Sequence, residues 1–348
     1  EEIREYEVLY ETLKECVICQ NEDRSVMVEP CGHFAYCMPC MEAHMARSDP
    51  AACPAPAELS CLPRSSTFCI DHYLGKELVM NLLVLRFANV CFGAIWNRHY
   101  IKSVQVIFKE DFGTEGRAGY FDQYGIIRDV MQNHLMQMVA LVAMEQPLSF
   151  SAEHIRAEKL KVLHSIVPLR REDVVTGQYE GYLDELPPDA RGSKTETFCA
   201  GVLHVHTPRW DGVPFVLKAG KALNECKVEL RVQFHSVPGV VSALRDCTAN
   251  ELVVRVQPQE DIYWKVQNKS PGLAFAVEQM RMDLTYKVHQ DYDRMPAAYE
   301  RLLLEALAGD HSHFVSEEEL EASWRIFTPV LRDLASGAPP DRYTCGGR

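Results

Sequence analysis

The longest apolar run lies between Phe121 and Gln146, FDQYGIIRDVMQNHLMQMVALVAMEQ. Its first half alternates polar and apolar residues at helical spacing, and its second half is almost wholly apolar. That pattern predicts one helix driven into a core, with His134 exposed near its start. A second apolar window, Leu78 to Trp96, contains Asn81, Arg86 and Asn89, so it reads as a buried helix rather than a membrane span. Around these two stretches the pattern predicts helices over Lys76–Ala88 and His154–Ser165. Later helices are predicted over Ala297–Leu307 and Glu317–Leu334, the last opened by a Ser-x-x-Glu capping box at Ser316–Glu319. β-Branched and alternating runs predict strands over Val104–Lys109, Thr197–His206, Val213–Lys218, Val228–Phe234 and Glu251–Gln257. The expected class is α+β, with a large, mainly antiparallel sheet and helices on one face.

The chain has 348 residues, 47% of them hydrophobic and 24% charged, enough for two domains and a sizeable core. A net charge of -13 argues against a general nucleic-acid binder. The chain begins with Glu, which reads as a fragment, and no basic-then-apolar leader is visible. Glu1–Glu15 reads as a short amphipathic helix through Ile3, Tyr6, Leu9 and Leu13, or equally as a solvated flank.

Cysteine use changes the picture at the amino-terminal end. Of 13 cysteines, seven fall between Cys16 and Cys61. Clustered Cys with a His and no secretion signal points to zinc in a reducing, cytoplasmic setting. The order is Cys16-x2-Cys19, then Cys31-x-His33-x3-Cys37-x2-Cys40, then Cys53. Thiolates one knuckle apart can share a tetrahedral Zn²⁺, and capture of the metal would fold a segment too small for its own core. The segment Pro30-CGHFAYCMPC-Cys40 resembles a RING finger. The resemblance implies that Cys16, Cys19, Cys37 and Cys40 hold one zinc, and Cys31, His33 and a last pair the other. The family's closing Cys-Pro-x-Cys is here Cys53-Pro54-Ala55-Pro56, so Cys61 is the expected eighth ligand, with Cys69 and His44 as weaker substitutes. The resemblance also implies a ubiquitin-conjugating enzyme as partner, met by Val17, Ile18 and Pro54. The Pro/Ser/Ala-rich stretch 51–66 has no period and reads as a linker. The expected domains are a zinc module over 1–62, a linker over 63–70 and one α+β domain over 71–348.

The second candidate site joins the long helix to Asp71–Lys76, DHYLGK, which offers an acid, a histidine, a tyrosine and a lysine beside a flexible Gly75. One anion pocket and one general base can be built from these two pieces. Taken singly, such residues are ordinary: a lone helical His is usually packed or solvated. The strings DHYLGKE, LRFAN, IWNRHYI, FKEDFGTEGR, GYFDQYGIIRDVMQNH, GKALNE, VRVQP and SWRIFTP together resemble the glucose-6-phosphate dehydrogenase family. The resemblance implies oxidation of the C1 hydroxyl of glucose 6-phosphate by NADP to the lactone, in the pentose phosphate pathway. It implies His134 as the base and Asp71 as its hydrogen-bonding acid. His72, Tyr73 and Lys76 would bind the phosphate, Glu110 and Asp129 the sugar hydroxyls, and Lys221 and Gln257 the other side.

The same resemblance implies a second, structural NADP site at Lys218, Lys227, Arg231, Arg255, Tyr263, Lys265, Asp283 and Arg348, and a homo-oligomer, or docking on dehydrogenase subunits, through the sheet. Basic residues on adjacent strands suit a 2′-phosphate. No Gly-rich dinucleotide turn of the family's coenzyme domain precedes Asp71, and Gly113, Gly116 and Gly119 sit among acidic Asp111 and Glu115. Cys226 stands where the family usually has a substrate-contacting arginine. Two functions follow as expectations: an NADP-dependent dehydrogenase, or a RING-type ubiquitin ligase or scaffold that uses the dehydrogenase-like domain for docking.

Overall fold

The computed structural model describes residues 67–239, 241–244, 247–284 and 296–347, with the short strands β1 (Val26–Val28) and β2 (His33–Tyr36). These two strands pair antiparallel, Met27 opposite Phe34. The rest is organised on one nine-stranded sheet, built in spatial order β10-β9-β8-β7-β3-β6-β5-β4-β11. Its strands are β3 (Ile101–Lys109), β4 (Val174–Tyr179), β5 (Phe198–His204), β6 (Pro214–Gly220) and β7 (Lys227–Phe234). They continue with β8 (Glu251–Gln257), β9 (Asp261–Lys269), β10 (Val277–Asp283) and β11 (Asp341–Tyr343). All neighbours are antiparallel except β3 with β6 and β4 with β11.

The period-two alternation sorts the sheet into two unlike faces. Val104, Val106, Leu217, Leu230, Val254 and Ile262 are cross-strand neighbours and are buried beneath the helices. The opposite face carries Lys218, Lys227, Glu229, Arg231, Arg255 and Lys265, in register with one another. The antiparallel, single-sided layout is as the sequence predicts. Strands β4, β9, β10 and β11 were not expected. β10 and β11 form the two edges, where little apolar alternation is needed.

The helices are α1 (Glu77–Phe87), α2 (Val90–Ile95), α3 (Ala118–Ile126), α4 (Met136–Ala143), α5 (Ala152–His164), α6 (Ala298–Ala308) and α7 (Glu317–Ser336). The window Leu78–Trp96 is two helices, α1 and α2, separated at Ala88 and Asn89. The predicted helix over Phe121–Gln146 is three pieces. Between α3 and α4, the nine residues Ile127–Leu135 wind as a π-helix. A kink at Gly125, φ 73°, precedes it. A Cβ there would lie 2.5 Å from Glu196 Oε1. The positive φ and that close approach both require glycine.

Helix α4 is buried all round. Its last carbonyls are sealed by side chains: Arg86 donates to Leu141 O and Met144 O, Trp96 Nε1 to Val142 O, and Trp210 Nε1 to Ala143 O. The guanidinium of Arg86 is thus a helix cap, and burial pushes its pKa down to about 9. At α7 only half of the expected capping box forms. Ser316 Oγ accepts the Glu319 N–H, while the Glu319 carboxylate pairs with the buried Lys159 of α5 at 2.5 Å.

Residues assigned to a linker already belong to the sheet domain. Phe68 stacks on His311 with centroids 4.0 Å apart, and the buried Cys69 bridges Val315. The domain therefore extends at least to Thr67, and Cys69 is a core residue rather than a zinc substitute. At Gly75 a Cβ would meet Ala298 O at 2.6 Å, so its bareness lets α6 pack.

Candidate functional site

The turn Asp71–Lys76 leads directly into α1, and its tightness comes from Leu74 N–H donating to Asp71 O and Lys76 N–H to Tyr73 O. It presents Asp71 to the π-helix. His134 Nδ1 lies 2.7 Å from Asp71 Oδ1, which also accepts the Tyr73 N–H at 3.0 Å. Burial would push the Asp71 carboxyl up, but the charge and hydrogen bond of His134 hold it below the usual carboxylate range. Its second oxygen, Oδ2, is buried without a hydrogen-bond partner. Rings pack the imidazole: Tyr73 is stacked on His134 with centroids 4.7 Å apart, and His72 meets it edge-on at 4.9 Å.

These groups open into a cavity of about 370 Å³ at the carboxyl ends of β3, β6 and β8. Asp71, His72, Tyr73, Glu110, Asp129, His134, Lys221 and Gln257 all line it. Lys221 Nζ pairs with Glu110 Oε2 at 2.5 Å, and Tyr73 Oη donates to Gln257 Oε1 at 3.2 Å. Eight of the nine side chains singled out for this site therefore meet around one space. The ninth, Lys76, has its ammonium 5.1 Å from the ring of Tyr73, which lines that space. Burial pushes the Lys76 pKa down. Burial, and then His134, push His72 down to about 4, so it meets a ligand as a neutral imidazole near pH 7.

Asp71, His72 and His134 are also the one set of three potential metal ligands found among the described residues. Two ligands of one tetrahedral zinc stand about 3.3 Å apart. The 2.7 Å contact of Asp71 with His134 is a hydrogen bond and too short for an ion between those atoms.

Lys218, Lys227, Arg231, Arg255, Tyr263, Lys265 and Asp283 fall on one face of the sheet, on β6 to β10. Two buried acids not anticipated from the sequence organise them. Glu229, with no exposed side-chain surface, pairs with Arg231 at 2.6 Å and Arg255 at 2.8 Å; Glu251 pairs with Arg231 at 3.2 Å and Lys265 at 2.6 Å. Arg281 lies over the Tyr263 ring at 3.8 Å and pairs with Asp283 and Asp261. At the other end Lys109, Lys218 and Lys227 converge. Burial, then these two lysines, push the Lys218 pKa down. Lys109, also missed, was hidden as the terminal residue of a strand. The alternation at Lys227, Glu229 and Arg231 was the signal available for Glu229.

The expected zinc ligands Cys16, Cys19, Cys31, Cys37, Cys40, Cys53 and Cys61 lie outside the described residues, as does Arg348. Of His33 only the backbone is described, as the first residue of β2. Among the described residues no helix is long and apolar enough to cross a membrane.

Comparison with known proteins bears on both parts of the chain. Residues 12–55 match the family model "Zinc finger, C3HC4 type (RING finger)". Residues 83–348 match "Glucose-6-phosphate dehydrogenase, C-terminal domain". The cytoplasmic isoform of glucose-6-phosphate 1-dehydrogenase from Solanum tuberosum is 54% identical over 280 residues, 80% of this chain and 55% of that protein. The glucose-6-phosphate 1-dehydrogenase of Takifugu rubripes is 46% identical, over 99% of this chain and 64% of its own length. A solved glucose-6-phosphate dehydrogenase in complex with its substrate glucose-6-phosphate superposes with a TM-score of 0.78 at 48% identity, covering 84% of this chain and 62% of that one. The chain thus spans between about half and two thirds of the length of these relatives. On the match over residues 83–348 and these identities, the chain belongs to the glucose-6-phosphate dehydrogenase C-terminal domain family.

Proposed function

We propose that residues 71–348 carry the sugar-phosphate site and the general base of a glucose-6-phosphate 1-dehydrogenase, oxidising glucose 6-phosphate to 6-phosphogluconolactone with NADP. The observation that carries this reading is the Asp71–His134 hydrogen bond in the wall of a cavity walled also by His72, Tyr73, Glu110, Lys221 and Gln257. Asp71 is held ionised, so its Oδ1 accepts and His134 Nδ1 keeps the proton. That leaves Nε2 as the basic nitrogen, which takes the proton of the C1 hydroxyl as the carbonyl forms. Asp71 then stabilises the imidazolium. Bound NADP supplies the acceptor for the C1 hydride. His72 and Tyr73 donate to the phosphate, and the charge of Lys76 beside Tyr73 adds attraction. Glu110, Asp129, Lys221 and Gln257 orient the sugar, the two existing contacts of Lys221–Glu110 and Tyr73–Gln257 opening toward its hydroxyls.

The open sheet face supports the structural NADP assignment at one end. Lys218 has no carboxylate partner among the described residues and sits beside Lys109 and Lys227, a fit for a phosphate. The Arg231–Arg255–Lys265 end is already neutralised by Glu229 and Glu251, so a ligand there must displace existing ion pairs. Self-association, or docking on dehydrogenase subunits, would use the same sheet, in a cytoplasmic setting like that named for the potato isoform.

Calorimetric titration of the purified chain with glucose 6-phosphate tests the reading. Saturable binding is expected, weakened by about tenfold or more in Lys221→Ala, which leaves Glu110 without its cation. Absence of binding at millimolar ligand would sink it. NADPH formation on addition of NADP measures whether the chain turns over by itself.

The match over residues 12–55 favours a second reading of that segment, a RING-type zinc module that recruits a ubiquitin-conjugating enzyme. Cys16, Cys19, Cys31, His33, Cys37, Cys40, Cys53 and Cys61 would hold two zinc ions. Metal analysis showing about two zincs per chain, with thiolate-to-cobalt charge transfer after exchange, is the expected result. A chain without zinc, or without autoubiquitination activity, counts against it.

A further inference from the structure

Lys221 is gripped through its backbone from two sides. Its N–H donates to Thr197 O at 3.0 Å, and its C=O accepts from Tyr343 Oη at 2.7 Å. The next residue, Ala222, has φ 51°, a left-handed conformation that a residue with a Cβ rarely adopts, so the peptide between them needs external support. That support comes from the far edge of the sheet. Tyr343 ends β11, which pairs parallel with β4, and its ring lies against Gly177, where a Cβ would meet it at 2.9 Å.

The hydroxyls there have one consistent arrangement. Thr197 Oγ1 accepts the Tyr179 N–H at 3.0 Å and lies 2.9 Å from Tyr343 Oη. Since Tyr343 spends its only proton on Lys221 O, the Thr197 hydroxyl must donate to Tyr343. Beyond Tyr343 the chain continues along the loop after Lys221. Gly346 N–H donates to Ala222 O at 2.9 Å, and Asn224 N–H to Gly347 O at 3.0 Å. The loop's other side is tied to the wall that carries Glu110, through Leu223 N–H to Glu110 O at 2.8 Å.

We propose that Tyr343 is a positioning residue for the sugar end of the cavity: its hydroxyl fixes the Lys221 peptide, and through it the Lys221–Glu110 pair, so the segment 341–347 acts as a strap that completes the ligand site. This inference rests on the reading of the cavity as a sugar-phosphate site. A strap of this kind acts on one end of the ligand only. His72 and Tyr73 are carried by the turn before α1, and no contact from 341–347 to that turn is seen among the described residues.

The test is Tyr343→Phe in the full chain, which keeps the ring and removes the hydroxyl. Binding of glucose 6-phosphate and of inorganic phosphate is measured by calorimetry. The expected result is an affinity for glucose 6-phosphate weakened about three- to tenfold, the effect of one lost backbone hydrogen bond, with phosphate affinity unchanged. Equal weakening of both ligands together with a lowered unfolding temperature would show a merely structural tyrosine and overturn the proposal. So would unchanged affinity for both. Hydrogen exchange of the ligand-free chain decides independently: the amides of Lys221 to Asn224 exchange faster in the variant if the strap holds them, and at the wild-type rate if it does not. A wild-type chain that binds neither ligand would refute the sugar-phosphate reading, while the exchange result would still decide whether Tyr343 holds the loop.

Discussion

Asp71 keeps its charge in surroundings that would ordinarily remove it. One oxygen is hydrogen-bonded to His134 and to a backbone amide, and the other is buried and bare. Replacing it by Asn keeps the shape but lets the amide donate to Nδ1, which puts the imidazole in the wrong tautomer. Asp71→Asn is therefore expected to lower NADPH formation on the order of 10³- to 10⁴-fold while changing glucose 6-phosphate affinity little; equal loss in both would contradict the base assignment. Glu196 is the opposite case. Burial pushes its carboxyl up to about 7, against the help of its own backbone, Arg128 and the Ile127 N–H. The fold thus holds a proton that the unfolded chain releases. That contribution is complete below the ordinary value of 4.5 and is lost as pH rises through about 7. Glu196→Gln, which keeps the acceptor oxygen, should stabilise the domain by about 2 kcal/mol near pH 8, with the gain vanishing toward pH 4. Unfolding curves at the two pH values check it. The residues of the site were legible because acid, histidine, tyrosine and lysine crowd into Asp71–Lys76. Glu196 was not, because a lone Glu before a strand gives no sign of burial.

At the scale of elements, the stretch from Phe121 to Gln146 was legible as helical from its apolar spacing, but its π-turns were not. Side-chain spacing reports burial, whereas the shift of hydrogen bonds is set by what the segment packs against. Here Glu196 enters at the kink, accepting from Ile127 N–H at 3.4 Å while its backbone carbonyl accepts from Ile126 N–H. π-Segments of this kind recur at functional sites. Gly125→Ala adds a methyl against that carboxylate in a backbone region closed to Ala. A loss of about 2 kcal/mol or more is expected in denaturant unfolding. At the other end of the run, Trp210→Phe strips the donor from Ala143 O and should cost about 1–3 kcal/mol. A smaller change would mean that water replaces the indole. On the sheet, Glu229 neutralises a cluster of cations that would otherwise repel. Glu229→Leu should destabilise by about 3 kcal/mol or more, and added salt should recover part of the loss by screening.

At the scale of the molecule, helices and cavity occupy one side of a sheet whose other side is a charged surface, and the two meet at the ends of β3 and β6. Lys109 and Lys221 mark that meeting: Lys109 belongs to the charged face and also lines the cavity. Among the described residues the sheet domain has a continuous core from Cys69 to Leu331. On the reading of residues 12–55 as a separate zinc module, chelation should leave the unfolding transition of the sheet domain and its affinity for glucose 6-phosphate unchanged. A parallel loss of affinity would show that the two parts are coupled.

The order of apolar and polar residues by itself determined the class of the fold, the five central strands β3 and β5 to β8, and where most of the helices lie, because a period of two or of 3.6 is a local property that burial on one face imposes. Residue type also marked the Asp71–Lys76 cluster and His134 as candidates, while Glu110, Asp129, Lys221 and Gln257 came only from the family resemblance. Tertiary structure alone decided that Glu110 and Lys221 meet across the cavity, that Glu229 and Glu251 tie the cations together, and that a tyrosine from the far edge strand holds Lys221. Each of these joins residues remote in the chain or sets a direction in space, and neither leaves a periodic trace in sequence.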